Sequence, residues 1–250
     1  MKIAVAGGTG VAGRLVVEEL RERGQDTVTL SRAAGVDLLT GAGLDDALTG
    51  VDAIVDASNV TTMSRAVSVD FFERAGRNLA AAARKAGVRH LVSLSIVGVD
   101  RVRNPYYAGK LRQEEIVRDG SVPWTILRAT QFHEFAAQIY QRAAIGPVHL
   151  APRMRTQPVA AAEVGARLVE LAGAGPAGRV RDLAGPREES LVRMVRAYAH
   201  ARGSRAWIPA IPLPGAGGRA QRDGSLLPTG DAQLGRQTFD EWLAAHTVAR

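Results

Sequence analysis

Through the first 150 residues, short apolar runs of strand length alternate with longer stretches whose apolar positions recur every three or four residues. Lys2–Ala6, Thr27–Leu30, Ala53–Ala57, His90–Ser95 and Trp124–Ala129 read as strands. Between them Gly10–Arg23 predicts a helix with Val11, Leu15, Val16 and Leu20 near one face, and Leu44–Leu48 a short one. Phe71–Ala86 predicts a long alanine-rich helix ending at Gly87, and Pro105–Arg118 a helix with proline at its start. Strands without polar alternation, joined by crossover helices, form parallel sheets covered on both faces. Right-handed crossovers then predict an α/β fold with a doubly wound parallel sheet. Ligands of such sheets lie at the carboxyl ends of the strands, near the reversal of strand order.

After residue 150 the rhythm weakens. Ala160–Ala172 and Glu188–Arg202 predict helices and Arg179–Ala184 a strand, while the Pro- and Gly-rich Ile208–Pro228 predicts an irregular loop. Thr238 and Glu241 have capping-box spacing and open a last short helix. With no internal repeat, residues 1–250 read as a single domain. Residues from about 130–150 and 186–235 are expected to form a small C-terminal lobe that binds a substrate over the sheet.

Composition narrows the chemistry. The absence of cysteine excludes disulfides, thiolate metal sites and a cysteine nucleophile. The histidines show no tight ligand spacing, so no metal is expected. Ser58, Ser64 and Ser68 lack the G-x-S-x-G elbow of a hydrolase. No apolar run approaches the ~20 residues that cross a bilayer, and the first residues are interrupted by glycine too early for a signal peptide, so a cytoplasmic protein is expected. The net charge of +7 is almost all arginine, with lysine only at Lys2, Lys85 and Lys110, and it is spread along the chain. That distribution favours small anionic ligands over nucleic acid.

The first strand runs directly into Gly7-Gly8-Thr9-Gly10-Val11-Ala12-Gly13, which fits both G-x-G-x-x-G and G-x-x-G-x-x-G and opens a helix. In that context the glycines permit a sharp turn and let backbone N–H groups approach a pyrophosphate at the positive helix end. This is the Rossmann arrangement for a dinucleotide. At the end of the second strand an acid would hold the ribose 2′-hydroxyl of NAD. Here Leu30-Ser31-Arg32 offers a hydroxyl and a guanidinium, which suit a 2′-phosphate, so NADP(H) is favoured over NAD(H).

Four segments, Ala6–Gly13, Leu94–Asp100, Pro105–Lys110 and Trp124–Phe132, taken in order, resemble the atypical short-chain dehydrogenase/reductases, specifically the NmrA-like NAD(P)H-binding branch. The likeness spans residues 1 to about 135 and continues more loosely through Leu213-Pro214-Gly215 and Leu226-Leu227-Pro228. It implies that Asp37 and Leu38 lie beside the adenine and that Ala57, Ser58 and Asn59 run along the cofactor. It also implies that Ala129, Thr130, Gln131 and Phe132 border the nicotinamide.

Tyr106-Tyr107-Ala108-Gly109-Lys110 contains Y-x-x-x-K, whose spacing puts Tyr106 and Lys110 on one helix face. In the resembled family the tyrosine exchanges a proton with the substrate oxygen, while the lysine lowers its pKa and binds the nicotinamide ribose. Ser95 matches the family serine that bonds the substrate carbonyl, with Ser93 as the alternative. The resemblance implies an NADPH-dependent oxidoreductase acting on a small carbonyl, quinone or enone. A non-catalytic redox sensor and a redox-neutral isomerase or cyclase remain the alternatives. Phe132, Phe135, Tyr140, Trp207 and segment 208–228 could wall a substrate pocket. His133 and Glu134 either face it or begin a hydrated helix with Phe132 and Phe135 turned inward. Either a monomer or a homodimer is compatible with these features.

Overall fold

The computed structural model describes residues 1–247. Five strands form its centre: β1 (Lys2–Ala6), β2 (Asp26–Leu30), β3 (Ala53–Asp56), β4 (His90–Ile96) and β5 (Trp124–Ala129). They alternate with α1 (Val11–Glu22), α2 (Leu44–Ala47), α3 (Arg65–Lys85) and α4 (Pro105–Asp119). α5 (Phe135–Arg142), α6 (Ala161–Ala174), α7 (Leu191–Ala201), α8 (Gly215–Asp223) and α9 (Phe239–Thr247) follow. The sheet has eight strands in the order Gln233–Leu234, Leu183–Ala184, β5, β4, β3, β1, β2, with Gly178–Arg179 also paired to β5. All of its pairings are parallel. β1 pairs with β2 on one side and β3 on the other, so strand order reverses there, immediately before the glycine turn.

Successive residues of each central strand point to opposite faces, and both faces are apolar. Val5, Val55, Val92 and Leu127 pack with Val16, Leu20, Val164 and Leu168 beneath α1 and α6. Ala4, Ile54, Leu91 and Ile126 pack with Leu44, Leu79, Ala83 and Val117 beneath α2, α3 and α4. Each fully buried aliphatic side chain contributes ~1.5–3 kcal/mol, which explains why propensity alone does not decide these elements. A third cluster, around Ala136, Met154, Leu191, Val195, Leu226, Phe239 and Trp242, joins α5, α7, α9 and the intervening chain to Val99, Val102 and Tyr107.

Several elements depart from their expected limits. α3 starts at Arg65 rather than Phe71, because the Ser64 hydroxyl accepts a hydrogen bond from the Val67 amide and caps it. The strand expected over Arg179–Ala184 is broken: Gly178–Arg179 and Leu183–Ala184 pair with opposite ends of β5. Segment 208–228 is not wholly irregular. Ala210–Ile211 pairs with Ala151–Pro152, and α8 forms where Gly218 packs closely on the Leu213 carbonyl and Arg222 Nη1 donates to that same oxygen at 2.8 Å. The expected capping box is present, with Glu241 Oε2 accepting from the Thr238 amide and Thr238 Oγ1 accepting from the Glu241 amide. Among the described residues no helix is long and apolar enough to cross a membrane.

Candidate active site

The glycine turn closes against the loop after β3. Gly7 has φ of 73°, and a Cβ there would lie 2.7 Å from the Ala57 carbonyl oxygen and from Ser58 Cα. A Cβ on Gly13 would lie 2.1 Å from the Gly7 oxygen, so the first turn of α1 sits directly on the Gly7–Gly8 backbone. Gly10, the N-cap residue, supplies no side-chain acceptor, and no acid occupies the first turn. The leading N–H groups of α1 therefore lack a side-chain partner beside the exposed Thr9, Gly10 and Val11. A positive helix end with this close backbone approach fits a pyrophosphate, with Ala12 and Gly13 buried behind it.

At the end of β2, Ser31 opens a short 3₁₀ turn, Arg32–Ala34, with its hydroxyl not engaged in capping. Arg32 is exposed and has no ion pair among the described residues. Asp37 Oδ1 accepts from the Leu39 amide at 2.8 Å, and Leu38 is half-buried. Asn78 of α3, which carries no motif signal, donates to the Leu38 and Leu39 carbonyls at 2.9 and 3.1 Å and fixes this loop.

At the reaction end, Pro105 opens α4 and the Asn104 side chain accepts from the Tyr106 amide at 2.9 Å. The Tyr106 hydroxyl donates to Asn59 Oδ1 at 2.7 Å, joining two of the expected site residues from α4 and the loop after β3. Lys110 shares that face of α4, but its ammonium turns into the protein. Its Nζ donates to the Leu94 carbonyl at 2.5 Å and to Gln113 Oε1 at 2.6 Å, and lies 4.9 Å from the Phe72 ring centre. Gln113 Nε2 donates to Asp56 Oδ2 at 2.6 Å, and Asp56 Oδ1 accepts from the Ser58 amide at 3.0 Å. Asp56 and Gln113 have no motif signal, since their meeting depends on packing between β3 and α4.

Burial pushes the Tyr106 hydroxyl far above the usual phenol range, with the neighbouring Tyr107 adding to the effect. Burial likewise raises Tyr107 to about 12, opposed by a bond from Gln131. Burial lowers Lys110 to about 8 against the opposing fields of Asp56 and Glu114. Ser93 and Ser95 are buried with unpartnered hydroxyls. Ser93 is level with Asp56 in the sheet, whereas Ser95 lies two residues nearer the carboxyl ends.

Ala129, the last residue of β5, is buried; just beyond it the Thr130 hydroxyl donates to the Gln157 carbonyl at 2.6 Å, and half-buried Phe132 bridges to Val159. His133 is neither exposed nor at a hydrated helix start. It is fully buried between Phe239 and Trp242, with Nε2 3.0 Å from the Gln237 carbonyl oxygen. Burial lowers its pKa and raises that of Glu134. Phe132, Phe135 and Tyr140 are half-buried, whereas Trp207 is 69 % exposed, with its backbone bridged to Val148. Among the described residues no cluster of three or more His, Asp or Glu could hold a metal.

Three comparisons bear on this geometry. The profile of a family described as NAD(P)H-binding matches residues 7–173. The chain is 35 % identical over 144 residues to a (4-alkanoyl-5-oxo-2,5-dihydrofuran-3-yl)methyl phosphate reductase of Streptomyces griseus, covering 52 % of this chain and 48 % of that protein. It thus spans about half the length of that relative. A short-chain dehydrogenase/reductase superfamily protein of Agrobacterium tumefaciens with bound NAD shares the fold at a TM-score of 0.72 and 21 % identity, covering 100 % of this chain and 97 % of that one. The triphenylmethane reductase of a Citrobacter species complexed with NADP(H) does so at a TM-score of 0.73 and 18 % identity, covering 99 % and 100 %.

Proposed function

The chain belongs to the NAD(P)H-binding family, on the atypical short-chain dehydrogenase/reductase fold, and from that premise we propose that it is an NADPH-dependent reductase of a small carbonyl, quinone or enone compound. The observation that carries the reading is the Tyr106–Asn59 hydrogen bond, which brings a protonated phenol hydroxyl beside the loop that borders the glycine turn. When bound, the reduced nicotinamide supplies the hydride. The turn residues Gly7, Thr9, Gly10, Val11, Ala12 and Gly13 hold its pyrophosphate, and Ala57, Ser58 and Asn59 flank it. Ser31 and Arg32 favour the 2′-phosphate of NADPH, through a guanidinium with no competing carboxylate among the described residues. Ala129, Thr130 and Phe132 form the nicotinamide end.

Tyr106 keeps its proton at neutral pH because burial disfavours the phenolate. It is thereby poised to donate to a substrate oxygen on which negative charge develops. Ser95, whose hydroxyl has no protein partner, bonds the same oxygen. Lys110 acts by charge from inside α4. The Streptomyces relative, named as a reductase of an oxygenated small molecule, supports reductive chemistry.

The test is fluorescence titration with NADPH and NADH, followed by a turnover screen of quinones, aldehydes and enones. Tyr106→Phe is expected to bind NADPH as tightly as the parent and to lose ~100-fold or more in turnover. Binding without turnover in the parent would favour a redox sensor, and binding of neither nucleotide would refute the cofactor assignment.

A further inference from the structure

Two sets of hydrogen bonds, one through Asp56, Gln113 and Lys110 and the other between Asn59 and Tyr106, are joined by the Ser58–Asn59 backbone and by one turn of α4. Asp56 spans the Ser58 amide and the Gln113 amide nitrogen. Gln113 oxygen and the Leu94 carbonyl hold the Lys110 ammonium. Asn59, next to Ser58, returns to Tyr106, one turn of α4 before Lys110. Asp56, Gln113 and Lys110 are only 2 %, 1 % and 4 % exposed, so water cannot replace a missing partner. We propose that Asp56 and Gln113 are positioning residues, forming with Lys110 a buried bracket that keeps this lysine charged and sets the Asn59 loop against Tyr106. Its catalytic consequence rests on the reductase reading; the bracket itself does not.

A buried ammonium persists only beside compensating charge and acceptors. Facing Lys110 are Asp56 from β3, Glu114 from α4, the Leu94 carbonyl from β4 and the Phe72 ring from α3. Glu114 is also gripped by Arg128 of β5, which in turn holds Asp100, so much of its charge is already compensated. Asp56 is the larger of the two carboxylate influences that oppose burial. Removing its charge leaves Lys110 to be neutralised at lower pH.

Because the chain has only three lysines, isotope-labelled lysine NMR of the NADPH-bound full chain can follow each one, with Lys2→Arg and Lys85→Arg assigning the signals. Asp56→Asn is expected to lower the Lys110 midpoint by ~1 unit or more, corresponding to at least tenfold in the protonation equilibrium. The pH at which turnover falls on the alkaline side should move down with it. The pair Asp56→Asn with Gln113→Glu moves the carboxylate one position along the bracket and preserves each hydrogen bond. It should return both the midpoint and the turnover profile toward the parent, which a purely structural defect at residue 56 does not predict. Should Asp56→Asn fail to fold, Gln113→Met against the parent gives the same readout, a lowered Lys110 midpoint. An unmoved midpoint in the single variant, or a double variant no better than it, overturns the bracket. Absence of turnover in the parent sinks only the reductase reading, because the NMR titration still judges the lysine.

Discussion

Arg128→Met isolates the largest buried charge pairing that supports the site. Arg128 Nε and Nη2 donate to the two carboxylate oxygens of Glu114 at 2.8 and 2.7 Å, and Nη1 donates to Asp100 at 2.7 Å. Arg128 is 5 % and Glu114 2 % exposed, so methionine replaces the stem but strands a carboxylate away from water. Breaking a buried pair from one side costs ~3–5 kcal/mol. The Asp100 contact adds little, ~1 kcal/mol or less, because that side chain is 43 % exposed. For a chain of 250 residues, that loss lowers Tm by ~6–20 °C. Urea unfolding at neutral pH should show a reduced midpoint with an unchanged slope. Adding Glu114→Leu should recover most of the loss, since an apolar pair of similar volume carries no desolvation penalty. A single-variant cost below ~1 kcal/mol, or a double variant as unstable as the single, would refute the electrostatic account.

Other consequences are equally direct. Gly13→Ala introduces a Cβ 2.1 Å from the Gly7 oxygen and must displace the turn. NADPH affinity should fall ~10-fold or more, as charge-assisted bonds worth ~1.5–3 kcal/mol are lost, and an unchanged Kd by fluorescence would dissociate this turn from the pyrophosphate. Arg32→Ala should weaken NADPH by ~10-fold while leaving NADH within about twofold; equal losses for both would remove Arg32 from 2′-phosphate recognition. His133 has a folded pKa lowered by burial, so below ~6.5 the unfolded state takes up the proton first. Its stability contribution is complete above that pH and lost as pH falls toward the folded value. Thermal melts should show His133→Phe with a flatter stability profile below pH ~6.5, and an identical acid slope would contradict this.

Periodicity carried the five central strands and their crossover helices because each is apolar enough to be decided by its own burial. The glycine turn was legible for the same reason: its steric demands are local. What failed was long-range. The Y-x-x-x-K spacing correctly put Tyr106 and Lys110 on one face of α4. It could not reveal that Gln113 and Asp56, the latter 57 positions from Gln113, draw the ammonium inward. The sequence left His133 either facing the pocket or at a hydrated helix start, because Gln237, Phe239 and Trp242, which enclose it, come more than 100 residues later. The helix within 208–228 was hidden because its glycines are poor helix formers, and only contact with Leu213 overrides that preference.

The pairing of α6 with α1 has a consequence for synthesis. All five central strands and the helices on the α3 and α4 face are complete by residue 129. The opposite face receives α1 early, but its other cover, Val164, Leu168 and Leu171 of α6, lies more than 30 residues further along. A chain leaving the ribosome thus forms a half-covered sheet, with Val92 and Leu127 waiting for α6 to arrive. The interval between β5 and α6 is the period in which this protein is most open to a chaperone, or to another copy of itself.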